Sequence, residues 1–409
     1  MASLLGNTFA LVMVQGVNFL TPLLVLPYLV EGLGVKKFGE MIFIQSIMAV
    51  GLLFVEFGFG WSITKKISLL RTDQNEISKI YSCGLSAQLL LALIFLFLVI
   101  LARIIFAWEC SLESFLLAYG VVFGVALLPI WLFQGLELIV PLAIIQILSK
   151  LSIFPILLYI KNMVVELTVN DALICFLIPS ALTALISLAY IKSKKIALLK
   201  IPSAGNVYHL IVDSVPIFLS RLLISFYTLI VPIILGAVAG PKQLAYFNIA
   251  ERVKISVQAL LAPVSQAVFP RVNLLYKENP AIANKLISNI LCFTGIFIFC
   301  VSGCVFFLSS EIVNFFGGGE LSAAIEPLRI LAFAPFVIVF SNVIGMQILV
   351  PKGLNKLFLK ILSLGSILTL IFIYPLASNY GAVGVSFLVL LTEAVISLLM
   401  IKFFLKFKF

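Results

Sequence analysis

Long apolar runs recur along almost the whole chain, and none of them alternates polar and apolar residues at every second position. Ser214 to Gly236, SVPIFLSRLLISFYTLIVPIILG, is one such run. A helix crosses a bilayer with ~20 predominantly apolar residues, whereas a spanning strand carries a period of two. The runs therefore select helices. Composition agrees: 63% of the 409 residues are hydrophobic and 11% are charged, against roughly 45–50% and ~25% in soluble domains. The expected fold class is all-α, a polytopic membrane protein with about twelve transmembrane helices.

Spans are expected near 4–30, 41–63, 80–106, 114–136, 138–160, 170–191, 210–236, 246–275, 286–308, 325–350, 357–376 and 381–405. No Lys or Arg precedes Lys36, which does not fit a cleavable signal peptide, so the first segment is expected to stay as a helix. Every connection is short. The longest polar one, Lys192 to His209, has room for a small interfacial helix. It divides an N-terminal six-helix lobe (1–191) from a C-terminal one (210–409), with a cytoplasmic connector at 192–209.

The net charge of +10 is explained by basic loops and gives no reason to expect nucleic acid. With both termini in the cytoplasm, the inner connections carry 17 of the 27 Lys and Arg residues and the outer side carries 8. That bias selects this orientation over its inverse. Cysteines 83, 110, 175, 292, 300 and 304 show no CxxC spacing. They read as small buried hydrophobes, neither disulfides nor a metal site.

A faint internal repeat is visible. GVKKFG (Gly34–Gly39) follows the first span and GPKQLA (Gly240–Ala245) follows the seventh, with Pro27 and Pro232 preceding them at similar distances. Parallel halves related by an axis along the membrane normal produce such a repeat.

The polar residues inside the spans carry the functional argument. Arg221, Ser225 and Thr228 follow one another at i, i+4 and i+7 on one helix face, with Ser214 preceding. Glu251, Lys254, Gln258, Ala262 and Ser265 share a face of the eighth span. Gln146 and Lys150 share one in the fifth, with Lys150 near the centre of Leu138–Ile160. Gln134 and Glu137 close the fourth span, Gln15, Asn18 and Pro22 line the first, and Glu56 precedes GFGWS in the second. An arginine at bilayer depth costs ~2.5–3.5 kcal/mol or more. Such faces line an aqueous space or pair with each other.

Each of these residues admits two readings. Arg221 and Lys150 read as cavity cations or as buried ion pairs that fix packing. Asp213 lies eight residues from Arg221, about 12 Å along a helix, and is not expected to touch it. Glu251 and Lys254 form an i, i+3 pair or line the cavity. Glu56 is a coupling carboxylate or a protonated link between two helices. Lys65 and Lys66 anchor the cytoplasmic end of the second span or meet substrate.

No GxxxxGK[ST], HExxH or GxSxG occurs, so nucleotide, zinc-protease and serine-hydrolase chemistry find no motif. No cofactor is expected. A membrane polymerase would be expected to carry a large outer loop and an acyltransferase a His/Asp pair, whereas this chain has short loops and one His.

NTFALVMVQGVNFLTPLLVLPYLVEGLGVKKFG, FVEFGFGWSITKKIS, FQGLE, FLSRLLISFYTLIVPIILG, YFNIAERV and VFPRV, in this order, resemble the Wzx-type O-antigen flippases. These form part of the polysaccharide-transporter branch of the multidrug/oligosaccharidyl-lipid/polysaccharide exporter superfamily. Glu56 stands where the family has an acid before GFG, and Arg221 and AERVK supply its basic positions. Glu31 stands where a basic residue is common. The resemblance implies two six-helix lobes around a central cationic cavity. It implies export of an undecaprenyl-pyrophosphate-linked oligosaccharide across the bacterial inner membrane by alternating access, next to a glycan polymerase and a chain-length regulator. Arg221, Lys150 and Lys254 would then meet pyrophosphate. Gln15, Asn18, Gln134, Ser225, Thr228, Asn248 and Gln258 would meet the glycan. Glu56, Asp213 and Glu251 are the candidates for ion coupling. The competing expectations are a cation-coupled drug exporter of the same superfamily, disfavoured by basic rather than acidic deep charges, and a flippase for the peptidoglycan precursor.

Overall fold

A computed structural model describes residues 2–163, 166–261, 268, 271–272, 274–276, 278–349 and 351–406. All regular structure among them is helical. In chain order the α-helices are α1 (Ala2–Glu56), α2 (Phe59–Leu69), α3 (Gln74–Phe106), α4 (Leu112–Ala126), α5 (Ile130–Gly135), α6 (Ile139–Leu151), α7 (Ile153–Met163), α8 (Val169–Ser193), α9 (Ala204–Ala239) and α10 (Pro241–Ala259). After them come α11 (Pro280–Phe307), α12 (Ser309–Gly317), α13 (Ile325–Ala332), α14 (Ala334–Ile344) and α15 (Asn355–Lys406). A 3₁₀ turn fills Gly318–Ala324, and a π-helical turn fills Gly345–Leu349.

Eight of the described helical stretches are long and apolar enough to cross a membrane, or nine when the two limbs of α9 are taken as one span. Against the expected count of about twelve, α1 and α15 each take in two expected spans as limbs that run on through a break, and the span expected at 246–275 lies partly outside the described residues. α1 contains Gly34 with φ 68° and ψ 163°, and α15 contains Gly381 with φ 55° and ψ −134°. At 1.5 Å per residue, helices of 55 and 52 residues are each more than twice the ~30 Å of a hydrocarbon layer.

The helix starts follow local chemistry. The Asp73 carboxylate accepts from the backbone N–H groups of Asn75 and Glu76 and so caps α3. Thr168 and Asp171 form a reciprocal capping box on α8. The Asn279 side chain caps α11. Gly240 followed by Pro241 opens α10, with proline at a position where a missing N–H costs nothing. The connector at 192–209, which has room for a small interfacial helix, forms none in its first part: α8 ends at Ser193 and α9 starts at Ala204. Pro202, which disfavours helical backbone at the residue before it, lies just ahead of that start.

Two compact units can be described separately. The first comprises Met1–Leu33 and Ile44–Leu222, and the second Gly34–Phe43 and Leu223–Phe409. The core of the first is built on Trp131, Phe133, Phe59, Ile63 and Ile67, all buried. Gly84 and Gly135 let the Trp131 ring and Ile67 approach the backbone closely. The Trp131 indole N–H, which would otherwise be buried unsatisfied, donates to Gln88 Oε1 at 3.1 Å. In the second unit, Val339, Ile396 and Met400 pack with Ile287 and Ile298.

The cysteine reading is corrected for three positions. Cys83 and Cys175 are buried, but Cys292, Cys300 and Cys304 are exposed. Their spacing of eight and four residues puts them on one outward flank of α11, where a thiol is apolar enough to meet lipid.

Candidate functional site

Arg221 has a partner. One terminal N–H group of its guanidinium donates to Glu56 Oε2 at 2.8 Å, across 165 positions of sequence. Of the two readings left open for Arg221, cavity cation and ion pair, the geometry contains the ion pair. Helical spacing reveals only acids close by in the same span, and this acid arrives from another helix. The pair is not sealed: the side chains are 36% and 37% exposed.

The pair is one rung of a polar ladder that α9 makes with the end of α1 and with α2. Lys66 Nζ donates to Asp213 Oδ2 at 2.8 Å, and Ser62 and Ser214 share a hydroxyl hydrogen bond of 2.7 Å. Positions 213, 214, 217–218 and 221 descend one side of α9 while 66, 62, 57–58 and 56 ascend opposite. Phe57 and Phe218 stack between the polar rungs with ring centroids 4.2 Å apart. Gly58, at φ 77°, leaves no room for a Cβ, which would lie 2.8 Å from Ile217 Cγ2. Arg221 stands eight residues beyond Asp213 on α9, about 12 Å further into the span expected at 210–236. An arginine and a glutamate half-exposed at that depth are tolerated where they face water rather than lipid.

Lys150 is half-buried on α6, and its Nζ donates to Asn18 Oδ1 at 2.7 Å. Two of the expected substrate residues are thus brought together within the first unit. Gln15 is half-buried on α1, one turn from Asn18. Gln134 is exposed at the end of α5. Beside it, Glu137 accepts from Arg71 at 2.7 Å, and that guanidinium holds its carboxyl below the usual range.

In the second unit, Lys254 is buried and paired with Glu251 at 2.7 Å. The ion-pair reading describes this geometry. Gln258 is half-buried one turn on, while Ala262 and Ser265 of the expected face lie outside the described residues. Asn248 Oδ1 is buried with no hydrogen-bond partner among the described residues. Ser225 and Thr228 also belong to this unit, where the Thr228 hydroxyl donates to the Ser225 carbonyl at 2.8 Å. Glu393 on α15, 8% exposed, was missed. It accepts from the Tyr227 hydroxyl at 3.1 Å and has Lys254 and Glu251 as charged neighbours. A signal existed, since Glu393 is the sole acid in the span expected at 381–405.

Among the described residues no three His, Cys, Asp or Glu side chains converge as metal ligands. What the arrangement offers chemically is cations on helices, Arg221 and Lys254 each held by a carboxylate and Lys150 by an amide.

Residues 4–274 match the family model described as polysaccharide biosynthesis protein. A protein of Escherichia coli (strain K12), described as a candidate O-antigen transporter, is 30% identical over 98% of this chain and 96% of its own length. A protein of Shigella dysenteriae with the same description is 32% identical over 97% and 98%. Among solved structures, the lipid II flippase MurJ in an inward closed conformation is similar with a TM-score of 0.78 at 17% identity, covering 98% of this chain and 87% of that one. An inward-facing multidrug resistance MATE family transporter of the MOP superfamily gives 0.77 at 13% identity, covering 94% and 93%. At those identities the structural likeness bears on the fold.

Proposed function

The chain belongs to the polysaccharide biosynthesis protein family, and from that premise we propose that it flips undecaprenyl-pyrophosphate-linked oligosaccharide repeat units of the O-antigen type. It is a multi-pass membrane transporter of the polysaccharide or lipid-linked class rather than an enzyme, as its relatives are. The cargo would pass from the cytoplasmic to the periplasmic leaflet of the bacterial inner membrane by alternating access, with both termini cytoplasmic. A glycan polymerase and a chain-length regulator are the expected partners downstream.

The half-exposed Arg221–Glu56 pair carries this reading. The contact uses one guanidinium nitrogen, and arginine has five N–H donors in a fixed fork. The remaining donors suit the oxygens of a pyrophosphate, which brings about two negative charges. Glu56 then serves a second purpose, because it neutralises Arg221 while no cargo is bound, and an arriving phosphate competes for the same guanidinium. Lys150 and Asn18 supply a second cation and an amide within the same unit. Gln15 and Gln134 extend the polar lining there, and Ser225, Thr228 and Gln258 supply hydroxyl and amide groups in the second unit. Lys254 balances Glu251 locally. Asp213, tied to Lys66, and Glu251 remain the proposed coupling carboxylates beside Glu56. The two six-helix lobes, 1–191 and 210–409, with their connector at 192–209, are the proposed moving parts. A drug exporter for organic cations shares the fold, but the basic groups at depth disfavour it.

The test is surface glycan in a strain that depends on the variant, with protein level in the membrane measured in parallel. Arg221→Ala and Lys150→Ala should each abolish surface glycan at normal protein level. Arg221→Lys should be much weaker than wild type if bidentate phosphate binding matters. Normal glycan from both alanine variants would remove the cationic site.

A further inference from the structure

Residues 194–203, between α8 and α9, form no helix, yet their backbone is held in place. The Leu198 N–H donates to Ser78 Oγ at 3.0 Å and the Lys200 N–H to Ser82 Oγ at 2.8 Å. Gln74 Nε2 donates to the Lys195 carbonyl, and Lys200 Nζ donates to Asn75 Oδ1. Asn75, Ser78 and Ser82 lie on one flank of the first turns of α3, so the segment is strapped along the mouth of a spanning helix. Ala197 is buried beneath it.

The outer side of the strap is apolar without cover. Leu198 is 61% exposed, Leu199 69% and Ile201 100%. Three large aliphatic side chains held out on a pinned backbone would leave apolar area unburied, in proportion to its extent, if they faced water alone. Within the segment the charge has a single sign, although Asp73 and Glu76 flank the α3 residues to which it is tied. Lys192, Lys194, Lys195 and Lys200 are exposed, and no Asp or Glu occurs from Lys192 to Val212. Ser78 and Ser82 lie about 6 Å and 12 Å along α3 from Gln74, so the strap runs beside the start of the span expected at 80–106.

We propose that residues 192–201 are a lipid-docking strap that inserts Leu198, Leu199 and Ile201 into the interfacial layer of an anionic leaflet, with the four lysines on its phosphates. The bonds to Ser78 and Ser82 satisfy the backbone N–H groups that a helix would otherwise have to satisfy at that depth. Apolar side chains flanked by lysines are the pattern that binds anionic membrane surfaces. An acid-free strap calls for a negatively charged surface, and phospholipid headgroups bring one directly beside the span. The inference needs only that the chain is embedded in a membrane and does not depend on its cargo.

The full chain in nanodiscs of phosphatidylcholine, with or without phosphatidylglycerol, provides the test. Ile201→Cys, in a background with the six native cysteines replaced by alanine, is labelled with an environment-sensitive fluorophore. Emission should shift to the blue and be quenched by doxyl-labelled acyl chains when phosphatidylglycerol is present. Replacing Lys192, Lys194, Lys195 and Lys200 together by Gln should reverse both effects. A probe as open to iodide as free dye in both lipids overturns the proposal. So does one that is equally buried in both, or one shielded only when a cytoplasmic protein extract is added. The unmodified chain gives an independent reading if the cysteine-free background folds poorly. Trypsin cleavage after Lys194, Lys195 and Lys200 should be suppressed by phosphatidylglycerol and return at high salt; equal cleavage in both lipids counts against the strap.

Discussion

Gly34 and Gly240 adopt nearly the same backbone conformation, φ 68° and ψ 163° against φ 85° and ψ 172°. That region of φ/ψ space is essentially reserved for glycine. The two stand first in GVKKFG and GPKQLA, the segments whose likeness suggested an internal repeat. Nothing lies within 4 Å of a Cβ at either position, so an alanine there meets strain without a clash. Gly34→Ala and Gly240→Ala should each lower stability by about 1–3 kcal/mol, read as a drop in thermal unfolding temperature in detergent. Unchanged unfolding would mean that the backbone relaxes at no cost. Gly39 differs in kind, because a Cβ would sit 1.9 Å from the Pro241 carbonyl oxygen. The sequence displayed these glycines and the misfit Arg221 plainly. It could not display Glu56 as the arginine's partner, since helical spacing describes only near neighbours and the pair spans 165 positions.

At the scale of elements, the ladder between α2 and α9 combines charge, stacking and close approach, and their magnitudes differ. Lys66–Asp213 is exposed on both sides, and such solvated pairs contribute little. Gly58 combines φ 77° with a neighbour at 2.8 Å, so alanine there suffers strain and overpacking together, each ~1–3 kcal/mol. Lys66→Ala should therefore leave the unfolding temperature almost unchanged, while Gly58→Ala should lower it clearly. Equal effects would mean that the ion pair, not the close approach, fixes α2 on α9. Sequence periodicity located most of the helical segments, because a bilayer demands long apolar runs. It placed the strap at 194–203 less well: hydrogen bonds to Ser78 and Ser82 fix that segment, and those bonds come from a different helix.

The whole molecule raises the question of what drives a transporter without a nucleotide motif. On the proposed function, an anionic head group moving outward would run from the negative inside to the positive outside of the membrane. Each elementary charge gains ~2.3 kcal/mol per 100 mV, so about two charges gain roughly 4–5 kcal/mol if the protein's own charges stay in place. The geometry suits that condition. Arg221 is balanced by Glu56, Lys66 by Asp213 and Lys254 by Glu251, so these paired groups move little net charge of their own and the cargo carries most of it. The membrane potential should then be the main drive, with proton or sodium coupling secondary. The measurement uses vesicles with lipid-linked substrate on the inner leaflet and a potassium-diffusion potential, without a pH or sodium gradient. Substrate should appear outside faster as the interior is made negative. A rate that ignores the potential but responds strongly to a pH gradient alone would shift the drive to the carboxylates. Glu393, buried beside Tyr227, Lys254 and Glu251, would then be the first to replace by Gln.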